Sequence, residues 1–293
     1  MIDKFLEYLA IEKRYSENTV TSYRKDLEDF RNFLLEKEAL ENPVKADRKM
    51  VRNFMVEESL KGFSKRSINR KLSALRSFYH FLLRIGEIGV SPLENISSLK
   101  FYPEKQIPFS VEEMERLQQI FEEQNTGLLQ QLIVEVLYQT GMRKAELCNL
   151  LLANVDFGGL ELRVTGKGNK TRVIPISDEL CRKMESYLKQ REPKDTAEKF
   201  FFVGIRGKKL NPKFVYSTVN FYLSLVTSKQ KRSPHILRHT FATHVLNDGA
   251  EISKVKAVLG HESLVSTQVY TTAGIEQLKK VFNSAHPRAK DNQ

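Results

Sequence analysis

Residues 160–176, Leu-Glu-Leu-Arg-Val-Thr-Gly-Lys-Gly-Asn-Lys-Thr-Arg-Val-Ile-Pro-Ile, differ in pattern from most of this 293-residue chain. β-Forming residues alternate with polar residues on both sides of a turn that contains glycine and asparagine, a pattern typical of a β-hairpin. Residues 200–203 are a candidate third strand. The flanking segments have helical periodicity instead. We therefore predict a mainly α fold with one small antiparallel β-sheet.

Helices are predicted before and after the hairpin. Ser110 and Glu113 form a capping box, because the hydroxyl and the carboxylate can each satisfy a backbone amide of the first turn. Gly141 and Gly260 stand where helices are expected to end. The clearest predicted helices of this part of the chain cover residues 128–140, 236–246 and 252–259.

The first hundred residues predict amphipathic helices. One covers about residues 19–34, and a second covers residues 64–84. The apolar residues of the second helix fall within an arc of roughly 120°. They are Ile68, Leu72, Leu75, Phe78, Tyr79 and Leu82. Glycines and prolines follow this helix, so we divide the chain into a helical domain at 1–100, a linker at 101–108 and a second domain at 109–293.

The opposite face of the 64–84 helix carries cations and no acid. Its basic residues are Lys65, Arg66, Arg70 and Arg76, with short hydrogen-bonding side chains between them. Such a face suits a helix that lies against phosphates and base edges. A solvated face is the alternative, but solvated faces normally mix both signs of charge. We therefore predict that these four residues contact DNA.

The charge of the whole chain also indicates a polyanionic partner. Its 47 Lys and Arg outnumber its 36 Asp and Glu, which gives a formal charge of +11. Up to residue 100 there are 19 basic and 15 acidic residues, and after it there are 28 and 21. Because both parts are basic, we expect two domains that bind one polyanion from two sides. Nucleic acid is the first candidate, and an anionic membrane surface is the second.

Features of secreted and membrane proteins are missing from the sequence. No run of about 18 apolar residues is present, and Asp3, Lys4 and Glu7 stand where a signal peptide has its apolar core. We therefore expect no membrane partner and a location in the cytoplasm, at the nucleoid. Cys148 and Cys181 are too few for a disulfide scaffold or a Cys-rich zinc site.

Nucleotide and metal chemistry are not expected. The Gly-Lys pair at 166–167 is not a nucleotide-binding loop, because Glu161 and Gly168 stand where that loop needs a glycine and a Ser or Thr. The helix that begins near His235 is not a zinc-protease helix, because Ile236 stands where a glutamate is needed. No compact group of carboxylates stands ready to hold two metal ions. We therefore predict no cofactor and no metal.

What remains is a basic set of residues suited to phosphodiester chemistry. It consists of Arg143, Lys167, His235, Arg238, His261 and Tyr270. Guanidiniums match phosphate oxygens bidentately and stabilise the charge that grows in a pentacoordinate transition state. A lysine can protonate a departing alkoxide, and a phenol can attack phosphorus to form a phosphotyrosine. Each residue alone has an ordinary structural explanation, so only their ordered combination carries the prediction.

Longer segments surround these residues. They are Thr140-Gly-Met-Arg-Lys-Ala-Glu-Leu, Thr165-Gly-Lys-Gly-Asn-Lys-Thr-Arg-Val-Ile-Pro-Ile, His235-Ile-Leu-Arg-His-Thr-Phe-Ala-Thr-His, Leu259-Gly-His-Glu-Ser-Leu and Val269-Tyr-Thr. Together with Leu72-Ser-Ala-Leu-Arg-Ser-Phe-Tyr in the first domain, they resemble the tyrosine site-specific recombinases of the phage-integrase family. Within that family the closest resemblance is to the Xer-type chromosome-dimer recombinases.

The resemblance implies roles for the six residues. Tyr270 would attack the scissile phosphate to form a 3′-phosphotyrosine, while His235 assists the proton transfer at Tyr270 and Lys167 protonates the leaving 5′ oxygen. The freed 5′-hydroxyl would later attack the phosphotyrosine of the partner strand. Bond energy is retained in this exchange, so no ATP is needed.

The same resemblance assigns the remaining residues to the phosphate. Arg143 and Arg238 would hold its non-bridging oxygens, and His261 would support it. Glu146 stands three residues after Arg143 and is expected on the same helix face, where it can hold the guanidinium.

An assembly on DNA follows from the resemblance as well. It implies a helical SAM-like core-binding domain and a catalytic domain that form a C-shaped clamp on double-stranded DNA at a specific recombination site. Four active sites imply a homo-tetramer, or a hetero-tetramer with a second recombinase, with an FtsK-type DNA translocase as a further candidate partner.

Several alternatives stay open. Xer members usually have Tyr-Thr-His at the nucleophile, whereas Thr271 and Thr272 follow Tyr270 here. A mobile-element integrase or a DNA invertase is therefore an alternative to dimer resolution. A relaxing topoisomerase with the same chemistry, or a non-catalytic DNA-binding protein, is a further one.

Overall fold

The computed structural model describes residues 1–102, 106–166, 170–260 and 287. The chain divides into two units, Met1–Glu104 and Lys105–Gln293, and each has its own hydrophobic core. The division falls inside the segment predicted as a linker, residues 101–108. Within the described residues, no helix combines the length and the apolar character that a membrane span requires.

The first unit is built from helices. They are α1 (Ile2–Ile11), α2 (Glu17–Glu38), α3 (Arg48–Leu60) and α4 (Lys65–Arg84). The two helices predicted from periodicity are confirmed as α2 and α4. Both begin after a serine, Ser16 or Ser64, whose hydroxyl accepts a backbone N–H of the first turn. All six apolar residues predicted to share one face of α4 are buried. Helices α1 and α3 were not among the predicted ones.

An ion network that was not predicted connects three helices of the first unit. Lys71 on α4 is 3% exposed, and its Nζ lies 2.7 Å from Asp29 Oδ2 on α2 and 2.5 Å from Glu58 Oε2 on α3. Burial by itself lowers the pKa of Lys71, but its hydrogen bonds to the two carboxylates outweigh burial and raise the pKa. The lysine therefore stays charged inside the core, where its partners compensate the loss of water.

The second unit consists of helices and one small sheet. In chain order its elements are α5 (Val111–Glu123), α6 (Leu128–Thr140), α7 (Lys144–Cys148), β1 (Val155–Asp156), β2 (Glu161–Thr165), β3 (Thr171–Pro175), α8 (Asp178–Gln190), α9 (Pro212–Ser224), α10 (Pro234–Asn247) and α11 (Ile252–Leu259). The capping box of Ser110 and Glu113 is confirmed. Helices α6, α10 and α11 confirm the three predicted helices, and Gly141 and Gly260 end α6 and α11 in the left-handed conformation.

The sheet has the order β1-β2-β3, and both pairs are antiparallel. The hairpin predicted in residues 160–176 is confirmed as β2 and β3. The prediction of a third strand at residues 200–203 is wrong, because Phe200 and Val203 form only isolated bridges. Residues 201–203 are all buried, whereas an antiparallel strand with one solvated face alternates between buried and exposed positions. The third strand is the two-residue β1, which is too short to show a period.

Candidate active site

Arg143 stands at the start of α7, just after the turn that ends α6. Its backbone N–H donates to Glu146 Oε2 at 2.7 Å, and its guanidinium Nη1 donates to Glu146 Oε1 at 2.8 Å. The expected contact between these two residues is therefore present. The Arg143 side chain is still 41% exposed, so the guanidinium keeps N–H donors that can reach a ligand.

Glu146 has a second partner that was not predicted, Arg172 on β3. Arg172 Nη1 donates to Oε1 at 3.0 Å, and Nη2 donates to Oε2 at 2.7 Å. Burial by itself raises the pKa of Glu146, but Arg172 and Arg143 outweigh burial and lower the pKa. The sequence did carry a signal, because Arg172 shares one face of the predicted strand with Ile174, and a charge on an apolar face needs a partner.

Arg238 on α10 is 7% exposed, and its guanidinium faces two backbone carbonyls. Nη1 donates to Gly141 O at 2.7 Å, and Nη2 donates to Leu259 O at 2.6 Å. Burial, together with the positive charges of Arg143 and Arg172, lowers the pKa of Arg238 to about 10. The guanidinium therefore remains protonated at neutral pH.

A cleft of about 260 Å³ brings three of the six predicted catalytic residues together. Arg143, Arg238 and His235 line it, and His235 is exposed in the first turn of α10. The other lining residues are Met142, Lys144, Tyr216, Ser233 and Pro234. Lys144, Tyr216 and Ser233 bear functional groups that were not predicted. The Lys144 ammonium lies 5.6 Å from the centre of the Tyr216 ring. Lys144 follows Arg143 in sequence, whereas no sequence pattern singles out Tyr216.

The other three predicted catalytic residues are Lys167, His261 and Tyr270, which lie outside the described residues. The residues just before two of them are described. A Cβ atom at Gly166 would stand 3.3 Å from Glu146 Oε1. A Cβ atom at Gly260 would stand 3.3 Å from Arg172 Cδ. The chain therefore passes Glu146 immediately before position 167 and passes Arg172, the partner of Glu146, immediately before position 261.

Positive charge dominates the described part of the site. Three guanidiniums, those of Arg143, Arg172 and Arg238, interact with the single carboxylate of Glu146. Within the same described residues, no group of three or more His, Cys, Asp or Glu side chains could hold a metal ion. The arrangement is suited to binding an oxyanion such as a phosphodiester.

The predicted DNA-binding residues of α4 divide into two pairs. Lys65 and Arg66 are exposed in its first turn. Arg70 instead makes an ion pair with Asp26 on α2, although its side chain remains 47% exposed. Arg76 donates to the backbone carbonyl of residue 96 and to a serine hydroxyl two residues later. The first pair is open to a ligand, whereas the second pair also stabilises the first unit.

Two family models match the chain. Residues 2–86 match the phage integrase N-terminal SAM-like domain, and residues 109–276 match the phage integrase family. The chain belongs to the phage integrase family. The expected family is thus confirmed, and the second match spans more than half of the chain.

Relatives of this phage integrase family member carry a more specific name. The chain is 38% identical over 301 residues to tyrosine recombinase XerC of Anoxybacillus flavithermus, a match that covers 98% of each chain. It is 37% identical over 298 residues to tyrosine recombinase XerC of Bacillus subtilis, covering 97% of this chain and 95% of the other. The prediction that the protein is an enzyme of the tyrosine recombinase class is confirmed.

Solved structures of recombinases on DNA have the same fold. XerH bound to palindromic difH substrate in a post-cleavage complex aligns with a TM-score of 0.71 at 19% identity, covering 96% of this chain and 83% of that one. A lambda integrase dimer bound to a COC′ core site aligns with a TM-score of 0.71 at 16% identity, covering 89% and 94%. These similarities confirm the mainly helical fold with one small antiparallel sheet.

Proposed function

We propose that this tyrosine recombinase resolves chromosome dimers by cutting and rejoining DNA at a dif-like site. The observation that carries the proposal is the similarity to XerC relatives along 98% of both chains. A chromosomal substrate would place the protein at the nucleoid in the cytoplasm. The described site independently supports the phosphodiester chemistry that this function requires.

Phosphate binding is the first step, and the described cleft is built for it. Arg143 and Arg238 both line the cleft, so that their guanidiniums can hold the two non-bridging oxygens of one phosphate. Glu146 orients Arg143, and the carbonyls of Gly141 and Leu259 orient Arg238. The arginines therefore need little rearrangement as charge grows in the transition state. His261 would support the same phosphate.

Cleavage then follows the chemistry of the family. The Tyr270 phenol oxygen attacks phosphorus and gives up its proton with the help of His235, which stands exposed at the cleft. The bond between phosphorus and the 5′ oxygen breaks, and Lys167 donates a proton to that oxygen. Ionising a free tyrosine costs about 4 kcal/mol at pH 7. Guanidiniums close to the attacking phenol would lower this cost, because positive charge favours the phenolate.

Strand exchange requires a larger assembly. Two DNA duplexes present four strands, so we propose a tetramer on DNA, either of this chain alone or with a second recombinase. We propose that the two units form a clamp on the DNA, with the exposed residues Lys65 and Arg66 among its phosphate contacts. An FtsK-type translocase is the proposed trigger.

A second candidate function rests on one observation. Thr272 stands where Xer members usually have histidine, which favours a mobile-element integrase or a DNA invertase. The two candidates differ in their target. A dimer resolvase acts on a single chromosomal site, whereas an integrase joins the ends of an element to a separate target.

Covalent capture of DNA tests the proposal. Wild-type protein, Tyr270→Phe and Tyr216→Phe are incubated with labelled, nicked suicide duplexes that carry candidate sites from the source genome, and denaturing gels then reveal adducts. We expect wild type and Tyr216→Phe to form an adduct at one chromosomal site and Tyr270→Phe to bind DNA without forming one. Tyr216→Phe is the matched control, because Tyr216 lines the cleft and this change removes only its phenol hydroxyl.

The alternatives give different results in the same experiment. An adduct on every duplex would indicate a relaxing topoisomerase, and adducts only at the ends of a mobile element would indicate an integrase. Tight binding without any adduct would indicate a missing partner or activator, or a non-catalytic DNA-binding protein. An adduct formed by Tyr270→Phe would overturn the assignment of the nucleophile.

A further inference from the structure

We propose that Arg172 is a positioning residue of the active site, acting on Arg143 through Glu146. The inference rests on the proposed function, because it concerns the phosphate-binding arginines of that function. Arg172 is 4% exposed and does not line the cleft. Its effect on the reaction must therefore pass through the residues that it contacts.

All three guanidinium nitrogens of Arg172 donate a hydrogen bond. Nη1 and Nη2 donate to the two oxygens of Glu146, and Nε donates to the carbonyl of Val258 at 2.6 Å. This bidentate geometry fixes the plane of the carboxylate. The same two oxygens of Glu146 accept the backbone N–H and the Nη1 of Arg143. Arg172 thus determines the orientation of the group that holds Arg143.

Charge gives Arg172 a second effect on Arg143. With Arg172 present, one buried carboxylate is shared between two guanidiniums, so a net positive charge remains beside the cleft. Without Arg172, the carboxylate of Glu146 would face Arg143 as its closest cation and would largely neutralise it. A phosphate would then compete with Glu146 for Arg143. Arg172 therefore frees Arg143 for substrate while keeping its orientation.

Arg172 also holds the end of α11. The last carbonyls of a helix have no partner within the helix, and at the end of α11 two arginines supply donors. Arg172 donates to Val258 O, and Arg238 donates to Leu259 O. Gly260 follows, where a Cβ atom would approach the Arg172 side chain. The contact therefore attaches α11 to β3 immediately before the chain continues to residue 261.

The test compares rates of adduct formation under single-turnover conditions, at a temperature where thermal melting shows every variant to be folded. Arg172→Met removes the charge and the hydrogen bonds. We expect its rate to fall roughly 10- to 100-fold, the loss seen when residues that orient metal ligands in other enzymes are replaced. Arg191→Met is the matched control, because Arg191 donates to the backbone carbonyls of Phe200 and Glu198 rather than to the cluster. We expect the control to keep the rate of wild type, because Arg191 contacts neither Glu146 nor either arginine of the cleft.

A second comparison separates positioning from a purely structural role. Glu146→Gln removes the carboxylate through which Arg172 acts on Arg143, so adding Arg172→Met to Glu146→Gln should slow the reaction much less than Arg172→Met slows wild type, with only the loss of the bond to Val258 O remaining. A purely structural role predicts that the two losses multiply, and that result would overturn the proposal. If Arg172→Met does not fold, Arg172→Lys replaces it, because lysine keeps the charge but cannot reach both oxygens in the fork geometry.

Failure of this inference and failure of the proposed function give different results. If wild type forms no adduct on any duplex, even with a partner recombinase and a translocase added, the proposed function fails. If wild type forms the adduct and folded Arg172→Met reacts at an unchanged rate, only the role of Arg172 is overturned.

Discussion

At the scale of single residues, Arg238 combines burial with fixed hydrogen-bond partners. Arg238 is held by two carbonyls from different parts of the chain, Gly141 O and Leu259 O. A guanidinium has five N–H donors in one plane, so Arg238 can satisfy both carbonyls and still donate to a phosphate. Lysine has a single charged nitrogen and cannot do this in the same geometry.

Arg238→Lys is therefore expected to be far from conservative. We predict that it slows adduct formation by a factor on the order of 10²–10³, the usual effect of losing one donor to a developing oxyanion. Affinity for the whole DNA site should change little, because many phosphates contribute to it. Adduct rates and gel-shift affinities measured on the same duplex check this. A parallel loss of rate and affinity would contradict it, and Arg191→Lys is the control for arginine-to-lysine change.

His244 provides a pH-dependent contribution to stability. Its Nε2 lies 2.8 Å from the carbonyl oxygen of Phe109, and its Nδ1 lies 2.9 Å from the Tyr138 hydroxyl. A carbonyl can only accept, so Nε2 carries the proton of the neutral ring and Nδ1 accepts from Tyr138. Burial lowers the pKa of His244 by more than its hydrogen bond to Phe109 raises it. Protonation is therefore harder in the native state than in the unfolded state.

The sign of the pH effect follows from this shift. The unfolded state, with a histidine pKa near 6.5, binds the proton more readily. The stabilisation that neutral His244 contributes above the pKa of the unfolded state is therefore lost as the pH falls through the lowered native pKa. We predict that the free energy of unfolding of wild type decreases below about pH 6.5 more steeply than that of His244→Gln. Urea unfolding followed by circular dichroism between neutral and mildly acidic pH measures both slopes, and equal slopes would refute the prediction.

At the scale of elements, the site depends on how α6, α10 and α11 meet at one glycine. Gly141 has a φ of +60°, and a Cβ atom there would stand 2.6 Å from Phe241 Cδ1 and 2.8 Å from Leu259 Cδ2. Phe241 belongs to α10 and Leu259 to α11. The lack of a side chain at the end of α6 is what allows these two helices to approach, and the same glycine supplies a carbonyl to Arg238.

Two glycine substitutions separate backbone strain from packing. Gly249 also has a positive φ, +91°, but a Cβ atom there would have no atom within 4 Å. Gly249→Ala should therefore cost about 1 kcal/mol of backbone strain. Gly141→Ala should cost about 1–3 kcal/mol more, because it also forces the two packed side chains apart. Chemical denaturation measures both values, and equal losses would show that packing at Gly141 is unimportant.

At the scale of the whole molecule, positive charge is distributed over both units rather than confined to a tail. The chain carries a net charge of +11, and each unit presents exposed cations. In the first unit these include Lys65 and Arg66 at the start of α4. Proteins that neutralise phosphates release counterions, so their affinity for DNA falls as salt concentration rises.

We predict that affinity for the recombination site falls by roughly a thousandfold or more between about 50 and 200 mM salt. Lys65→Ala/Arg66→Ala should reduce the slope of log affinity against log salt by about 2, because each cation that is removed leaves about one phosphate without its neutralising partner. Lys37→Ala is the control, because Lys37 is also exposed but stands near the end of α2. Fluorescence anisotropy at several salt concentrations gives the slopes. A slope that Lys65→Ala/Arg66→Ala leaves unchanged would exclude the first turn of α4 from the interface.

Local sequence patterns predicted several of the elements and the types of residue proposed for the site. Apolar spacing predicted α2 and α4, because helical periodicity depends on neighbours three or four residues apart. The stretches that form α6, α10 and α11 were predicted as helices as well. The alternation of β-forming and polar residues predicted the hairpin, because that pattern is also local in sequence. The ordered set of basic residues and the tyrosine indicated phosphodiester chemistry, because those functional groups have few other uses in combination. The two-residue β1 was missed, since it is shorter than any period.

The partners of the buried charges required the tertiary structure. Arg172 and Glu146 are 26 residues apart, Arg172 and Val258 are 86 apart, and Arg238 and Gly141 are 97 apart. Local periodicity shows that such a side chain faces inward, but not which distant group it meets. That choice depends on how helices and strands pack, because a buried charge is stable only where packing brings an acceptor to it. The chemistry of this recombinase can thus be read from residue types, whereas the orientation of its arginines is a product of the fold.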